Sequence, residues 1–303
     1  MKRHLIVYLH GIGDHLMATP AIHQYKQEHP DTELYLLSVG NNTFKDLWKH
    51  NSDITEVLLS TLTHNPHYGN PLFWITDYPI IHKDITHLQK IYSFDRVFFI
   101  VHFFIPAKLY AHLPLSRYRT HKSAIVAKKL GVSLHPSSYL LPLSSQEQDF
   151  AHHFFSTHSL RKKVATFHYL GSSPTKSLTP EHATHIATFL VQHGYTVIVL
   201  YSTATQEDVT PLHGDHIISY YSDNILHTAA LIKKSTVFIG VDSGIAHVAA
   251  AVHTPVFTIL MKDIWMHNST VLGHPVIQHS FKKNNLENLF ITLSFFLSSL
   301  SSR

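Results

Sequence analysis

His4-Leu5-Ile6-Val7-Tyr8-Leu9-His10-Gly11-Ile12-Gly13-Asp14-His15 is the stretch that decides the fold class. A short apolar strand runs through a small-residue turn into a helix. Such a turn presents backbone N–H groups at a helix N-terminus, where an anion binds well. Late in the chain the pattern returns as Thr236-Val237-Phe238-Ile239-Gly240-Val241-Asp242-Ser243-Gly244-Ile245-Ala246-His247. One such turn indicates a nucleotide-type domain. Two of them, one early and one late, predict a pair of such domains facing each other across a cleft.

The rest of the chain fits this expectation. Strands are predicted at 4–9, 34–39, 56–59 and 97–101, with helices near 20–29, 42–50, 80–92 and 121–130. Thr19 is expected to cap a second short helix beginning at Pro20, since proline suits a first helical position. Asn65 to Pro79 reads as a long loop, and Pro136 to Ser145, rich in Pro and Ser, as a linker. The alternation then restarts, with strands at 164–168, 196–201, 216–219, 236–240 and 255–260 and helices at 145–156, 180–193, 223–234 and 244–253. Alternation of this kind implies α/β domains with parallel sheets. The expected division is 1–143, 144–282 and a terminal amphipathic helix in 283–303 that packs back on the first domain.

Composition narrows the class. At 303 residues the chain can supply two cores, and with 15% charged and 44% hydrophobic residues it is globular. Cysteine is absent, which rules out disulfides and fits a reducing compartment. The apolar run after Met1-Lys2-Arg3 is too short for a signal peptide. No stretch approaches the roughly 20 apolar residues of a membrane helix. The net charge of +4 suits an anionic substrate or membrane surface and is too diffuse to indicate nucleic acid. The 29 histidines predict acid sensitivity, but no metal-ligand spacing occurs among them.

Three segments carry the chemistry. In the first turn Leu16 stands where a dinucleotide motif has its third glycine, and Asp14 would repel a pyrophosphate. Asp14 suits a hydroxyl better, as a general base; the local sequence serves a helix N-cap equally well. Gly11, Gly13 and His15 accompany it in the same turn. In the second, Ser243 and the helix start at Gly244 would hold a phosphate, with Asp242 beside them and His247 on the same helical face as Ser243; a packed histidine is the bland alternative. The third, Gly171-Ser172-Ser173-Pro174-Thr175-Lys176, is a hydroxyl-rich loop with one lysine, a reasonable diphosphate cradle. Glu207 would serve either as a ribose contact or as a surface carboxylate. Arg117, Arg119 and Lys122 belong to a basic segment that would meet an anionic acceptor or form a solvated helix face.

Together these segments resemble glycosyltransferase family 9, the ADP-heptose:lipopolysaccharide heptosyltransferases. Gly11 to Ile22 is similar to the family's GxGDxLxxTPAL opening motif. Gly240 to Ala251, continued by Thr254-Pro255-Val256, is similar to its VxxDSGxxHLAAA donor motif, and Lys176-Ser177-Leu178-Thr179-Pro180-Glu181 to a third segment. The resemblance implies a GT-B architecture of two Rossmann-like, doubly wound domains, with the acceptor on the first and the nucleotide sugar on the second. It implies inverting, metal-independent transfer without a cofactor, from a nucleotide sugar such as ADP-heptose to a glycan or glycolipid acceptor. Such an enzyme would be cytoplasmic, with peripheral contact to the inner membrane. Asp14 falls on the catalytic base, and Ser172, Ser173, Lys176, Asp242, Ser243, Gly244 and His247 on donor contacts, with Glu207 near a ribose contact. The sequence departs from the family at Leu178, where tryptophan is frequent, and at Ser202-Thr203-Ala204-Thr205, which replaces a glycine-rich turn. A nucleotide-sugar epimerase or hydrolase of the same fold, or a non-catalytic nucleotide-sugar-binding relative, is the alternative.

Overall fold

The computed structural model describes residues 1–64, 66, 73–100, 121–134, 138–160, 163–203, 209–261, 271–272, 275–281 and 285–301. The chain divides into two compact units, one built from Met1–Leu140 and the other beginning at Leu141.

The first unit holds four parallel strands: β1 (Lys2–Val7), β2 (Thr32–Ser38), β3 (Glu56–Leu59) and β4 (Arg96–Phe99), in the order β3-β2-β1-β4. β1 is central, and its last four residues are buried. Leu5, Val7, Tyr35, Leu37, Leu58 and Phe44 close the core on one side of it. The helices are α1 (Ile12–Glu28), α2 (Asn42–Trp48), α3 (Phe73–Tyr92) and α4 (Lys122–Leu130), which ends at left-handed Gly131.

Two sequence expectations are corrected here, both involving proline. α1 is one continuous helix with Pro20 inside it. Proline has no N–H to give the Leu16 carbonyl one turn back. The Thr19 hydroxyl donates to that carbonyl instead, at 2.7 Å, so the helix passes through the proline. α3 likewise contains Pro79 and begins at Phe73, so the end of the expected 65–79 loop is helical.

The second unit has six parallel strands: β5 (Val164–His168), β6 (Thr196–Tyr201), β7 (Ile217–Tyr221), β8 (Val237–Val241), β9 (Val256–Leu260) and β10 (Val276–Ser280). Their order is β10-β9-β8-β5-β6-β7, the doubly wound dinucleotide-fold order. Its helices are α5 (Ser145–Thr157), α6 (Pro180–Gln192), α7 (Ile225–Lys234), α8 (Gly244–Ala251) and α9 (Leu286–Ser301). Thr179 caps α6 by accepting from the His182 N–H, and Gly194 follows it at φ +81°, as the sequence predicts.

α9 takes a different place from the one expected. Leu289, Leu293, Phe296 and Leu297 form its buried stripe, and they lie in the second core with Phe257 and Phe281. Phe290 also stacks on Phe189 of α6, with ring centroids 4.4 Å apart. The apolar face of the terminal helix therefore completes the second unit, and the expected return to the first domain is corrected. The strand at 276–280, which the periodicity missed, is the sheet edge that lies beside it.

Gly240 shows how tightly the second sheet is closed beneath the late turn. A Cβ there would lie 2.6 Å from the His168 carbonyl oxygen and 2.7 Å from the Phe238 ring. Gly240→Ala should therefore destabilise the second unit by about 1–3 kcal/mol through overpacking. Urea unfolding checks this; an unchanged midpoint would show that the strand relaxes freely.

Candidate active site

In each sheet the strand order reverses once, between β1 and β4 in the first and between β5 and β8 in the second. Connections leave such a point in opposite directions, which opens a crevice at the carboxyl ends of the strands where ligands bind. Both glycine-led turns stand at these points. β1 leads into the turn at Gly11, and β8 into the turn at Ser243.

At the first crevice Gly11 is the extended N-cap of α1, at φ −75°, Gly13 lies in the first helical turn, and Asp14 sits there without capping the helix. The Tyr8 hydroxyl donates to the Asp14 backbone carbonyl at 3.2 Å. Lys122, the first residue of α4, donates from Nζ to Asp14 Oδ1 at 2.5 Å. About four-fifths of each side chain is covered, at 19% exposure for Lys122 and 20% for Asp14. The N-cap alternative for Asp14 is therefore removed, and Lys122 is committed to that carboxylate.

His15, in the same turn, is completely buried. The indole N–H of Trp48 donates to its Nδ1 at 3.0 Å, and Ser38 Oγ lies 3.2 Å from Nε2. Because tryptophan only donates, Nδ1 must be bare, and the proton of the neutral ring is on Nε2. Burial lowers its pKa to about 3. His15 thus ties α1 to β2 and α2 beneath the turn that carries Asp14.

At the second crevice the two donor-type segments leave neighbouring strands, since His168 pairs with Gly240 in the ladder. After β5 the chain makes a compact loop. Ser177 clasps it: its hydroxyl accepts from the Gly171 N–H at 2.9 Å and donates to the Ser173 carbonyl at 3.0 Å. Gly171 has to lack a side chain, because a Cβ would lie 2.6 Å from that of Lys176. The clasp presents Ser172 exposed and Ser173 and Lys176 half-buried. Sequence reasoning missed Ser177; its only signal was a third serine in a serine-rich loop. Leu178, at the position where tryptophan is frequent in the family, is a buried core residue.

After β8, Ser243 is the extended N-cap of α8, yet its side chain does not cap the helix. Its Oγ is buried and has no hydrogen-bond partner among the described residues. A buried hydroxyl without a partner is costly, and one placed at a helix N-terminus has the geometry to meet an anion. Gly244 opens α8, Asp242 is half-buried before it, and His247 is buried on its inner face. Beside this crevice Asp223 accepts from Ser202 Oγ at 2.9 Å and from the Thr203 N–H at 3.0 Å, so a carboxylate holds the start of the turn that replaces the glycine-rich one. Glu207, Arg117 and Arg119 lie outside the described residues, as do Ala204 and Thr205. Among the described residues no three His, Asp or Glu side chains gather to hold a metal ion, and no helix is long and apolar enough to cross a membrane.

Comparison with known proteins agrees with this geometry. A family model described as Glycosyltransferase family 9 (heptosyltransferase) matches residues 115–262. No curated protein matches the chain by sequence. Its fold is similar to that of the glycosyl transferase family 9 protein from Veillonella parvula DSM 2008, at a TM-score of 0.70 and 16% identity over 97% of this chain and 89% of that one. For E. coli ADP-heptose lps heptosyltransferase II the TM-score is 0.69, with 14% identity over 99% of each chain. For E. coli heptosyltransferase WaaC with ADP it is 0.64, with 14% identity over 98% of this chain and 99% of that one. Two Rossmann-like units in one chain give the protein the GT-B fold. On that fold, residues 115–262 are similar to the glycosyltransferase family 9 model.

The buried histidine has a consequence for stability. The unfolded chain takes up a proton on His15 near pH 6.5, while the folded chain resists doing so until about pH 3. The contribution of neutral His15 is complete above pH 6.5 and is lost as pH falls toward 3. His15→Gln keeps one acceptor and one donor but cannot titrate. Unfolding free energy measured from pH 7 to pH 4 should fall less steeply in this variant than in the wild type. Equal slopes would remove His15 from the acid response.

Proposed function

We propose that the protein is an inverting, metal-independent heptosyltransferase that moves heptose from ADP-heptose to a hydroxyl of a lipopolysaccharide-core or related glycan acceptor. The observation that carries this reading is the partnerless Ser243 hydroxyl, buried at the start of α8 next to the strand that feeds the Lys176 loop. A diphosphate would satisfy that hydroxyl, use the first N–H groups of α8 and meet the Lys176 ammonium. The nucleotide and sugar follow from the family 9 match and from the ADP-heptose named for the similar E. coli enzyme.

In the proposed reaction the acceptor oxygen attacks the anomeric carbon as its bond to the diphosphate breaks. The electron pair leaves with the diphosphate, and the acceptor proton passes to Asp14. Charge grows on the leaving group, where Lys176 and the α8 start stabilise the transition state more than the ground state. The step requires the acceptor held at the first reversal point to reach the donor held at the second. A net positive charge is compatible with work at the cytoplasmic face of the inner membrane, where a lipid-linked acceptor would be presented.

A thermal-shift panel of ADP-, UDP-, GDP- and CDP-sugars should single out ADP-heptose; preference for another nucleotide would overturn the donor assignment. Asp14→Asn should lower transfer by roughly 100-fold or more while leaving donor binding nearly intact. Lys176→Ala should weaken ADP binding by about 1.5–3 kcal/mol in calorimetry. Unchanged binding in that variant would remove the loop from the donor site.

A further inference from the structure

We infer that Lys122 is a positioning residue for Asp14, holding the carboxylate by an ion pair, rather than a contact for the acceptor. The inference rests on the reading of Asp14 as the base. Three observations support it. The Nζ–Oδ1 separation is 2.5 Å with both side chains largely covered, so neither is a solvated surface charge. The two residues come from helices that pack along each other, α1 and α4, and the pairing spans 108 positions of sequence. Lys122 also occupies the first residue of α4, the end of a helix where a cation is disfavoured by the macrodipole. Placement there is opposed locally, and the Asp14 carboxylate supplies the compensating charge.

Asp14 in turn lies in the first turn of its own helix. Its carboxylate is thus held between the N-terminus of α1 and the ammonium at the N-terminus of α4. The other titratable groups of the same turn are Tyr8, which holds the Asp14 carbonyl, His10, and His15, which is buried and neutral. On α4, His121 precedes Lys122 and caps the helix through Nδ1, which accepts from the Ser123 N–H at 3.2 Å. When the acceptor proton reaches Asp14, the ion pair becomes a hydrogen bond from an ammonium to a neutral carboxyl group. Lys122 orients the base and does not itself react.

The test compares Lys122→Met, Lys122→Arg and Asp14→Asn with the wild type, after thermal melts show that each is folded. ADP release from ADP-heptose is followed across pH with delipidated lipopolysaccharide core as acceptor, and the Asp14 carboxyl carbon is titrated by NMR without substrate. Lys122→Met should lower kcat roughly tenfold, as expected when a reacting group loses its fixed orientation. Its acid limb and its Asp14 titration should both move to higher pH, because the cation that favours the carboxylate is gone. Lys122→Arg should restore both. An Asp14 titration and acid limb that do not move, or a loss confined to the acceptor KM, would overturn the positioning role and return Lys122 to acceptor binding. Full turnover in Asp14→Asn would instead defeat the base assignment, whatever the titration of the lysine variants shows.

Discussion

A parallel sheet whose strand order reverses cannot cover its own carboxyl end at the reversal. The connections on either side depart in opposite directions and leave a gap. Each unit of this protein has one such reversal, between β1 and β4 and between β5 and β8. The groups assigned to the chemistry lie in the segments that follow β1, β5 and β8. Their distance in sequence is a consequence of winding, since each unit must start its sheet in the middle and return to it from the other side.

The buried polar groups explain how these turns keep their shape. Beneath the first, a neutral imidazole accepts from an indole and joins α1, β2 and α2. In the second unit a single serine hydroxyl closes the loop after β5 from both sides. Against this background the Ser243 hydroxyl stands out as a buried group at a helix start with no hydrogen-bond partner among the described residues. Rigid support around a partnerless polar group is the pattern expected where a ligand completes the structure.

Much of this was legible in the sequence, for identifiable reasons. The turns at Gly11 and Ser243 could be read because strand, small residues and helix follow one another locally. The cap at Thr179 and the stop at Gly194 were legible for the same reason. The errors lie where the outcome depends on distant partners. Pro20 looks like a helix start until the Thr19 hydroxyl is seen to supply the bond that proline withholds. Nothing local to His15 says that Trp48 and Ser38 enclose it. The amphipathic stripe of α9 predicts that the helix docks, and nothing in the stripe says on which core. Lys122 read as one basic residue among several; its unfavourable place at a helix start was the local sign of a distant carboxylate.

The hydroxyl of Thr19 has a second role. Besides mending α1 it accepts from the Leu140 N–H at 2.9 Å, and Leu140 is the last residue of the first unit's main segment. The chain is therefore moored to the middle of α1 just before it crosses over. The hydroxyl that lets α1 run through Pro20 thus also ties the end of this segment to the helix bearing Asp14.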